Sequence, residues 1–172
     1  MNSKLVARTA AAAVLTLTAA FTVSCTPSGA PGHVAVSEVS PPSTMKVPGI
    51  GTVALDGVIA QKYKQAGGES GLGLPTGPPK KVGDGTIQAF AKGAIYSAPG
   101  TGTHALSGEV LNTYLAHGGP RGPLGFPKSD VFEVKGGPRV VHGGWGAEFE
   151  HGSVYWLNRG DDQFAGYVTM KN

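Results

Sequence analysis

The sequence LDGVIAQKY at residues 55–63 returns as LSGEVLNTY at residues 106–114, a spacing of 51 residues. Further along, LGLP at residues 72–75 is matched by LGFP at residues 124–127, after one inserted residue. Ordered matches of this kind are the signature of tandem repeats, in which each small unit buries its apolar side against a neighbour. These stretches therefore predict a fold built from two copies of one unit.

The first matched stretch predicts a short helix in each copy. Asp56 and Ser107 stand just before it, and both residue types accept hydrogen bonds from the free N–H groups of a helix's first turn. Apolar residues then recur at helical spacing through Tyr63 and Tyr114, so both tyrosines are expected in the core. A Gly pair follows each stretch, and glycine can adopt the positive φ that ends many helices.

A later pair of stretches, FAKGAIY at residues 90–96 and FEHGSVY at residues 149–155, predicts a β-hairpin in each copy. The turn is expected at Lys92-Gly93 and at its counterpart in the second copy, with Gly at positive φ. The Phe that opens each stretch would then face the Ile or Val five residues later. The predicted fold class is α+β: two tandem repeats of short helix, Leu-Gly-x-Pro loop and hairpin, plus a partial third unit.

The N-terminal residues are typical of an export signal. Lys4 and Arg8 precede an uncharged apolar run that is shorter than the roughly 20 residues of a membrane-spanning helix. The stretch from Thr22 to Cys25, TVSC, resembles the lipobox of bacterial lipoproteins, although Thr22 replaces the aliphatic residue preferred there. This resemblance implies a lipid on Cys25 and an anchor in the membrane. Ordinary cleavage and secretion is the alternative, and either route takes the chain out of the cytoplasm.

Composition and the repeat pattern together predict the organisation of the chain. Residues after Cys25 are rich in Pro, Gly, Ser and Thr and poor in large apolar side chains, as in flexible tethers. The predicted segments are a signal peptide at 1–24, a tether at 25–53, and a repeat domain at 54–172 with repeat one at 55–105, repeat two at 106–157 and a closing tail at 158–172.

Charge and residue counts exclude several classes of function. The formal net charge of +3 falls to +1 without Lys4 and Arg8, so no nucleic-acid partner is expected. A single cysteine cannot form an internal disulfide, and the five histidines show no metal-binding spacing. We expect no metal and no cofactor.

Taken together, the matched stretches resemble the LGFP-repeat family, named for the tetrapeptide at residues 124–127. The resemblance implies an extracytoplasmic module of actinobacteria, found alone or attached to envelope enzymes such as mycolyltransferases, esterases and amidases. It also implies association with the cell wall, whose polysaccharides arabinogalactan and peptidoglycan are the implied ligands. Longer family members carry four or five repeats, whereas two whole units are present in this chain.

The sequence does not indicate an enzyme. The Gly-x-Ser-x-Gly motif that marks the nucleophile of α/β-hydrolases is absent from the sequence. We therefore expect a non-catalytic module that binds wall glycan and helps to maintain the envelope. Two alternatives are an adaptor that presents the repeats to envelope enzymes, and a wall hydrolase or its regulator, which would need paired carboxylates in a deep cleft.

Glycan binding predicts exposed aromatic side chains near polar ones, because the C–H faces of sugars stack on aromatic rings. The candidates are Trp145, Trp156, Tyr96, Tyr155 and Arg121. Tyr96 and Tyr155 are expected on the face of each hairpin opposite the Phe–Ile and Phe–Val core pairs. Packing between neighbouring repeats is the alternative for both tyrosines, and an ordinary solvated arginine is the alternative for Arg121.

Overall fold

The computed structural model describes residues 41–137 and 142–171. The predicted signal peptide and Cys25 therefore lie outside the described residues. The elements, in chain order, are β1 Ser43–Val47, β2 Gly51–Leu55, α1 Gly57–Gln65, α2 Gly68–Leu72, β3 Lys80–Val82, β4 Gly85–Phe90, β5 Gly93–Ala98, β6 Gly102–Ser107, α3 Gly108–Ala116, a 3-10 helix Gly119–Arg121, β7 Phe132–Val134, β8 Gly144–Phe149, β9 Gly152–Asn158 and β10 Phe164–Met170.

Helices and antiparallel sheets alternate along the array. The hairpin β1–β2 comes first, followed by a four-stranded sheet in the order β3-β4-β5-β6 and a second one in the order β10-β9-β8-β7. Helix α1 contacts β5 and β6, while α3 contacts strands of both four-stranded sheets. Two hydrophobic cores result, one around Ile59 and Tyr63 of α1 and the other around Val110 and Tyr114 of α3. The predicted α+β repeat architecture is confirmed, and each unit carries a full four-stranded sheet rather than a single hairpin.

The predicted tether ends earlier than residue 53. Strand β1 pairs with β2 so that Ser43 opposes Leu55, and 51 residues later Ala94 opposes Leu106 in the same way. The hairpin β1–β2 is therefore a copy of β5–β6, and Val47 and Val53 are buried in the first core. Residues 43–53 belong to the folded array because their apolar side chains cover α1.

The helix ends agree with the sequence in three of four places. The Asp56 side chain accepts a hydrogen bond from the Val58 amide at 3.3 Å, as expected of an N-cap. Gly67 and Gly118, at φ of 86° and 91°, follow α1 and α3 in the left-handed conformation. Ser107 occupies the N-cap position of α3, but its side chain makes no capping hydrogen bond, so that part of the prediction is wrong.

The hairpin turns lie one residue earlier than predicted. Phe90 pairs with Gly93, which places the turn at Ala91 and Lys92, and Ile95 therefore pairs with Gln88 rather than facing Phe90. Gly93 does not have the positive φ that the prediction required. It is glycine for a steric reason, since a Cβ there would lie 2.6 Å from the Leu106 carbonyl oxygen and 2.7 Å from Leu72.

A buried tyrosine fastens the Leu-Gly-x-Pro loop of each unit. The Tyr63 hydroxyl donates a hydrogen bond to the Gly73 carbonyl at 2.9 Å, and the Tyr114 hydroxyl donates to the Gly125 carbonyl at 2.7 Å. The same rings stack on the hairpin phenylalanines, with centroids 4.8 Å apart in the first unit and 4.4 Å apart in the second. One side chain therefore joins the helix, the loop and the sheet of its unit, which explains why tyrosine occupies both matched positions. We call this arrangement the tyrosine lock.

We predict that Tyr114→Phe destabilises the protein by about 1–3 kcal/mol, because the buried Gly125 carbonyl loses its donor while the ring stacking remains. Urea denaturation measures the difference. Tyr167→Phe is the matched control, since Tyr167 is 42% exposed and its loss of a hydroxyl is expected to change stability by less than about 0.5 kcal/mol. Equal midpoints for Tyr114→Phe and the wild-type protein would contradict the prediction.

The third residue of the loop differs between the units for a structural reason. Phe126 of the second unit lies against Gly85 of β4, where any Cβ would overlap its ring. Gly85 thus leaves a notch in the first sheet that receives the next unit's phenylalanine. Within the described residues, the hairpin β1–β2 has no strand matching β4, and Leu74 packs against the first core without such a notch.

A carboxylate joins the two units at the outer edge of β6. Asp130 accepts hydrogen bonds from the Ala105 amide at 2.8 Å and from the Lys62 ammonium at 3.0 Å, and His104 lies 3.7 Å away. Partial burial acts to raise the pKa of Asp130, but the Ala105 amide and Lys62 outweigh it and hold the pKa below the ordinary value of 3.8. The ionised form of Asp130 therefore stabilises the junction between repeats.

Asp130→Asn is expected to lower stability at pH 7 by about 1 kcal/mol or less, because a half-exposed ion pair is lost. A carboxylate with a lowered pKa contributes stability above the unfolded value, and that contribution disappears as the pH falls through the folded value. The difference in free energy of unfolding between Asp130→Asn and the wild-type protein should therefore be smaller at pH 3 than at pH 7. Urea midpoints at both pH values test this, with Asp84→Asn in an exposed turn as the control. A gap that stays constant with pH would contradict the assignment.

One row of the outer face of the second sheet is polar where the first sheet is apolar. In the first sheet, Ala89, Ala94 and Leu106 stand side by side on the face that receives α3. The matching positions of the second sheet carry Glu148, Ser153 and Thr169. The Ser153 hydroxyl donates a hydrogen bond to the Glu148 carboxylate at 2.9 Å, so these two polar side chains are partners for each other at the surface.

The predicted closing tail takes part in this sheet, because it supplies β10 along the edge of β9. Strand β10 corresponds to β2 and β6, each of which leads directly into the helix of the following unit. It is the partial third unit that the sequence analysis predicted.

Candidate aromatic binding site

Three aromatic side chains gather at one end of the second sheet. Trp145 on β8 and Trp156 on β9 are directly opposite each other in the antiparallel pairing. Phe164 on β10 lies next to both, with ring centroids 6.0 Å from Trp145 and 6.3 Å from Trp156, the latter pair being nearly parallel. Trp145 is 48% exposed and Phe164 is 37% exposed. The cluster therefore presents aromatic surface to solvent.

The strand pattern fixes these rings in place. Side chains alternate between the faces of a strand, so Trp145 shares its face with Ala147 and Phe149, which are fully buried under α3. Trp156 packs partly against the same core. Since all three strands contribute residues to that core, with Val168 on β10, the exposed rings are held on a rigid support rather than on a mobile loop.

A groove of about 290 Å³ runs between the tryptophans and the start of α3. We call it the aromatic groove; it is lined by Ser107, Gly108, Glu109, Val110, Val131, Trp145 and Trp156. Glu109 is exposed in the first turn of α3. Glu133 on β7 is the cross-strand partner of Trp145 and is also exposed, so a second carboxylate borders the groove.

This arrangement of rings and carboxylates could make contacts with a sugar. Flat aromatic rings accept the C–H faces of sugars, while carboxylate oxygens accept hydrogen bonds from sugar hydroxyls. An exposed tryptophan in a shallow groove also loses little conformational freedom on binding, because its neighbours already hold it. The site favours recognition of an extended chain at the surface rather than enclosure of a small molecule.

The same groove exists in the first unit without the aromatic rings. There a space of about 400 Å³ lies between the start of α1 and strands β4 to β6. Thr86 and Ser97 stand where the second unit has Trp145 and Trp156, and the Ser97 and Thr103 hydroxyls hydrogen bond to each other at 2.9 Å. The aromatic site is therefore specific to the second unit.

The two tyrosines that the sequence suggested as glycan-binding residues, Tyr96 and Tyr155, lie in different surroundings. Tyr96 is 2% exposed and packs edge-on against Tyr114 of the next unit at 5.6 Å, so it is a core residue and not a binding candidate. Burial raises the pKa of Tyr96 to about 12. Tyr155 is half-buried on the outer face of the second sheet, 3.4 Å from the Glu148 carboxylate, and so points away from the aromatic groove. The opposite-face prediction was right for Tyr96, but that face is covered by α3.

Arg121 is exposed in the 3-10 helix after α3. It lies beyond the C-terminal end of α3, whereas the aromatic groove lies at its N-terminal end, about 13 Å along a nine-residue helix. The structure thus brings Trp145 and Trp156 together and places Arg121 apart from them. Sequence reasoning missed Phe164 and Glu133, because their positions follow from strand pairing and not from spacing along the chain.

A larger cleft of about 550 Å³ lies between α3 and the first sheet. The described residues that line it include Lys80 and Lys92 but no aspartate or glutamate. In the described ranges, no three His, Cys, Asp or Glu residues are close enough to hold a metal ion. None of the described helices combines the length and the apolar character needed to cross a membrane.

The architecture is that of a layered tandem-repeat protein. The family model described as the LGFP repeat matches residues 72–122, which begins at the LGLP loop of the first unit and covers one full 51-residue period. Residues 72–122 are therefore similar to the LGFP repeat, in agreement with the resemblance seen in the sequence, and this similarity suggests a cell-wall-associated repeat module. No curated protein matches the chain.

Proposed function

We propose that the protein is a non-catalytic extracytoplasmic module that binds cell-wall glycan, arabinogalactan or peptidoglycan, and helps to maintain the envelope. The exposed Trp145 and Phe164, supported by the partly buried Trp156, carry this proposal. Small soluble domains rarely leave several large apolar side chains exposed next to a groove, and a ligand that covers them would explain their exposure. The LGFP repeat supports the location of that ligand in the wall.

Co-sedimentation with purified wall material tests the proposal. The domain is expected to pellet with insoluble glycan, and Trp145→Ala should weaken binding at least tenfold, the effect of losing about 1.4 kcal/mol. Tyr167→Ala is the matched control, because it removes an exposed aromatic ring from the opposite face of the same sheet. Binding that survives Trp145→Ala but is lost in Tyr167→Ala would move the site to the outer face.

The proposal includes attachment to the outer surface of the membrane through a lipid on Cys25, the only cysteine of the chain. Intact-mass analysis of the native protein is expected to give a chain that starts at Cys25 and carries acyl groups. An unmodified thiol at Cys25, or cleavage at another residue, would replace the anchor with secretion into the wall. The folded array begins by Ser43, so the linker from Cys25 is shorter than the predicted tether.

An adaptor for envelope enzymes such as mycolyltransferases is the second candidate function. One observation favours it: the outer face of the second sheet carries Phe132 and Tyr167, which are 37% and 42% exposed, on either side of Tyr155. The corresponding face of the first sheet receives α3. Failure to pellet with wall glycan, together with enzyme capture that depends on Tyr167, would favour the adaptor.

A wall hydrolase has less support. Glycoside hydrolysis requires two carboxyl groups on either side of the scissile bond. The larger cleft is lined by lysines without carboxylates, and Glu109 and Glu133 border an open groove rather than a deep one. We therefore propose that the protein holds glycan without cleaving it.

A further inference from the structure

We propose that the aromatic groove selects an uncharged glycan over a carboxylate-bearing one, and that each chain has one such site. This inference rests on the proposed glycan-binding function and adds the charge class and the stoichiometry of the ligand. It follows from the charges that surround the two tryptophans, and from the difference between the two units.

The described residues at the border of the groove carry net negative charge. Glu109 lines it from the first turn of α3, and none of the described residues that line it is a lysine or an arginine. Glu133 stands beside Trp145 on the neighbouring strand, about 5 Å away across the sheet. The nearby turn between β9 and β10 adds Arg159, Asp161 and Asp162, a further net charge of −1.

The start of α3 would on its own attract an anion, because the free N–H groups of a helix's first turn carry partial positive charge. Glu109 occupies that first turn and opposes the attraction. A glycan that carries carboxylates therefore meets two like charges at the rings, whereas the hydroxyls of an uncharged glycan can donate hydrogen bonds to both.

The first unit supplies an internal comparison. Its equivalent groove is lined by Asp56, Asp84 and Lys81 and by hydroxyl side chains, with no aromatic ring. Polar side chains without a stacking surface offer a sugar little that water does not also offer. One ligand per chain is therefore expected, at the second unit.

Fluorescence titration tests the inference directly, since Trp145 and Trp156 are the only tryptophans of the chain. The ligands are an arabinogalactan oligosaccharide and the same oligosaccharide oxidised to carry carboxylates, with calorimetry as a second readout. Two like charges at about 6 Å in water-like surroundings each weaken binding by about threefold, so the oxidised form is expected to bind about tenfold more weakly. The stoichiometry should be one.

The double variant Glu109→Gln and Glu133→Gln keeps the shape of the groove and removes its charge. It is expected to bind the oxidised form about tenfold more tightly than wild type does, and the uncharged form within about threefold. Asp56→Asn with Asp84→Asn, in the first unit, is the control; asparagine keeps an N-cap acceptor at residue 56, and the pair should change neither affinity.

Equal or tighter binding of the oxidised form by wild type would overturn the inference while leaving glycan binding intact. An unchanged ratio in the double variant, a stoichiometry of two, or tighter binding of an amine-bearing form of the oligosaccharide would also overturn it. Absence of binding to every form by both readouts would instead reject the proposed glycan function, and the inference with it.

Discussion

The hydrogen bond from a buried tyrosine to a loop carbonyl is the constraint on which each unit depends. The tyrosine stands on the helix, its ring stacks on the hairpin phenylalanine, and its hydroxyl donates to the glycine carbonyl of the Leu-Gly-x-Pro loop, so one side chain contacts all three parts of its unit. Burial raises the pKa of Tyr114, with smaller contributions from Tyr96 and Glu150, so the hydroxyl remains a donor throughout the physiological range. Each unit makes its own lock, which helps to hold one nine-residue helix that would be only marginally stable in isolation.

Sequence matching predicted most of this framework, because the lock uses identical residue types at a fixed spacing. It missed the hairpin β1–β2, although PGIGTVAL at residues 48–55 and PGTGTHAL at residues 99–106 are also 51 residues apart. The Pro and Gly content of that stretch suggested a tether, whereas the same residues form the tight connection of a hairpin. The turn position was misjudged for a similar reason, since Gly93 is required by close packing and not by its φ.

The binding site was harder to predict than the fold. Trp145 stood out because it is a large residue among glycines, and Trp156 directly follows the matched stretch at residues 149–155. Their pairing depends on the register between β8 and β9, and Phe164 joins them from a segment with no matching sequence in the first unit. Tyr96 and Tyr155 occupy equivalent positions, yet one is covered by a following helix and the other is not, which no local pattern reveals.

The polar outer face of the second sheet also has an evolutionary consequence. Gene duplication readily adds copies of a 51-residue cassette, but an extra copy placed after residue 171 would set its helix against Glu148, Ser153 and Thr169. Burying the Glu148 carboxylate there would carry a desolvation cost that the apolar row of the first sheet does not have. A further helix that packed on this row as α3 packs on the first sheet would therefore need apolar residues in place of these three side chains.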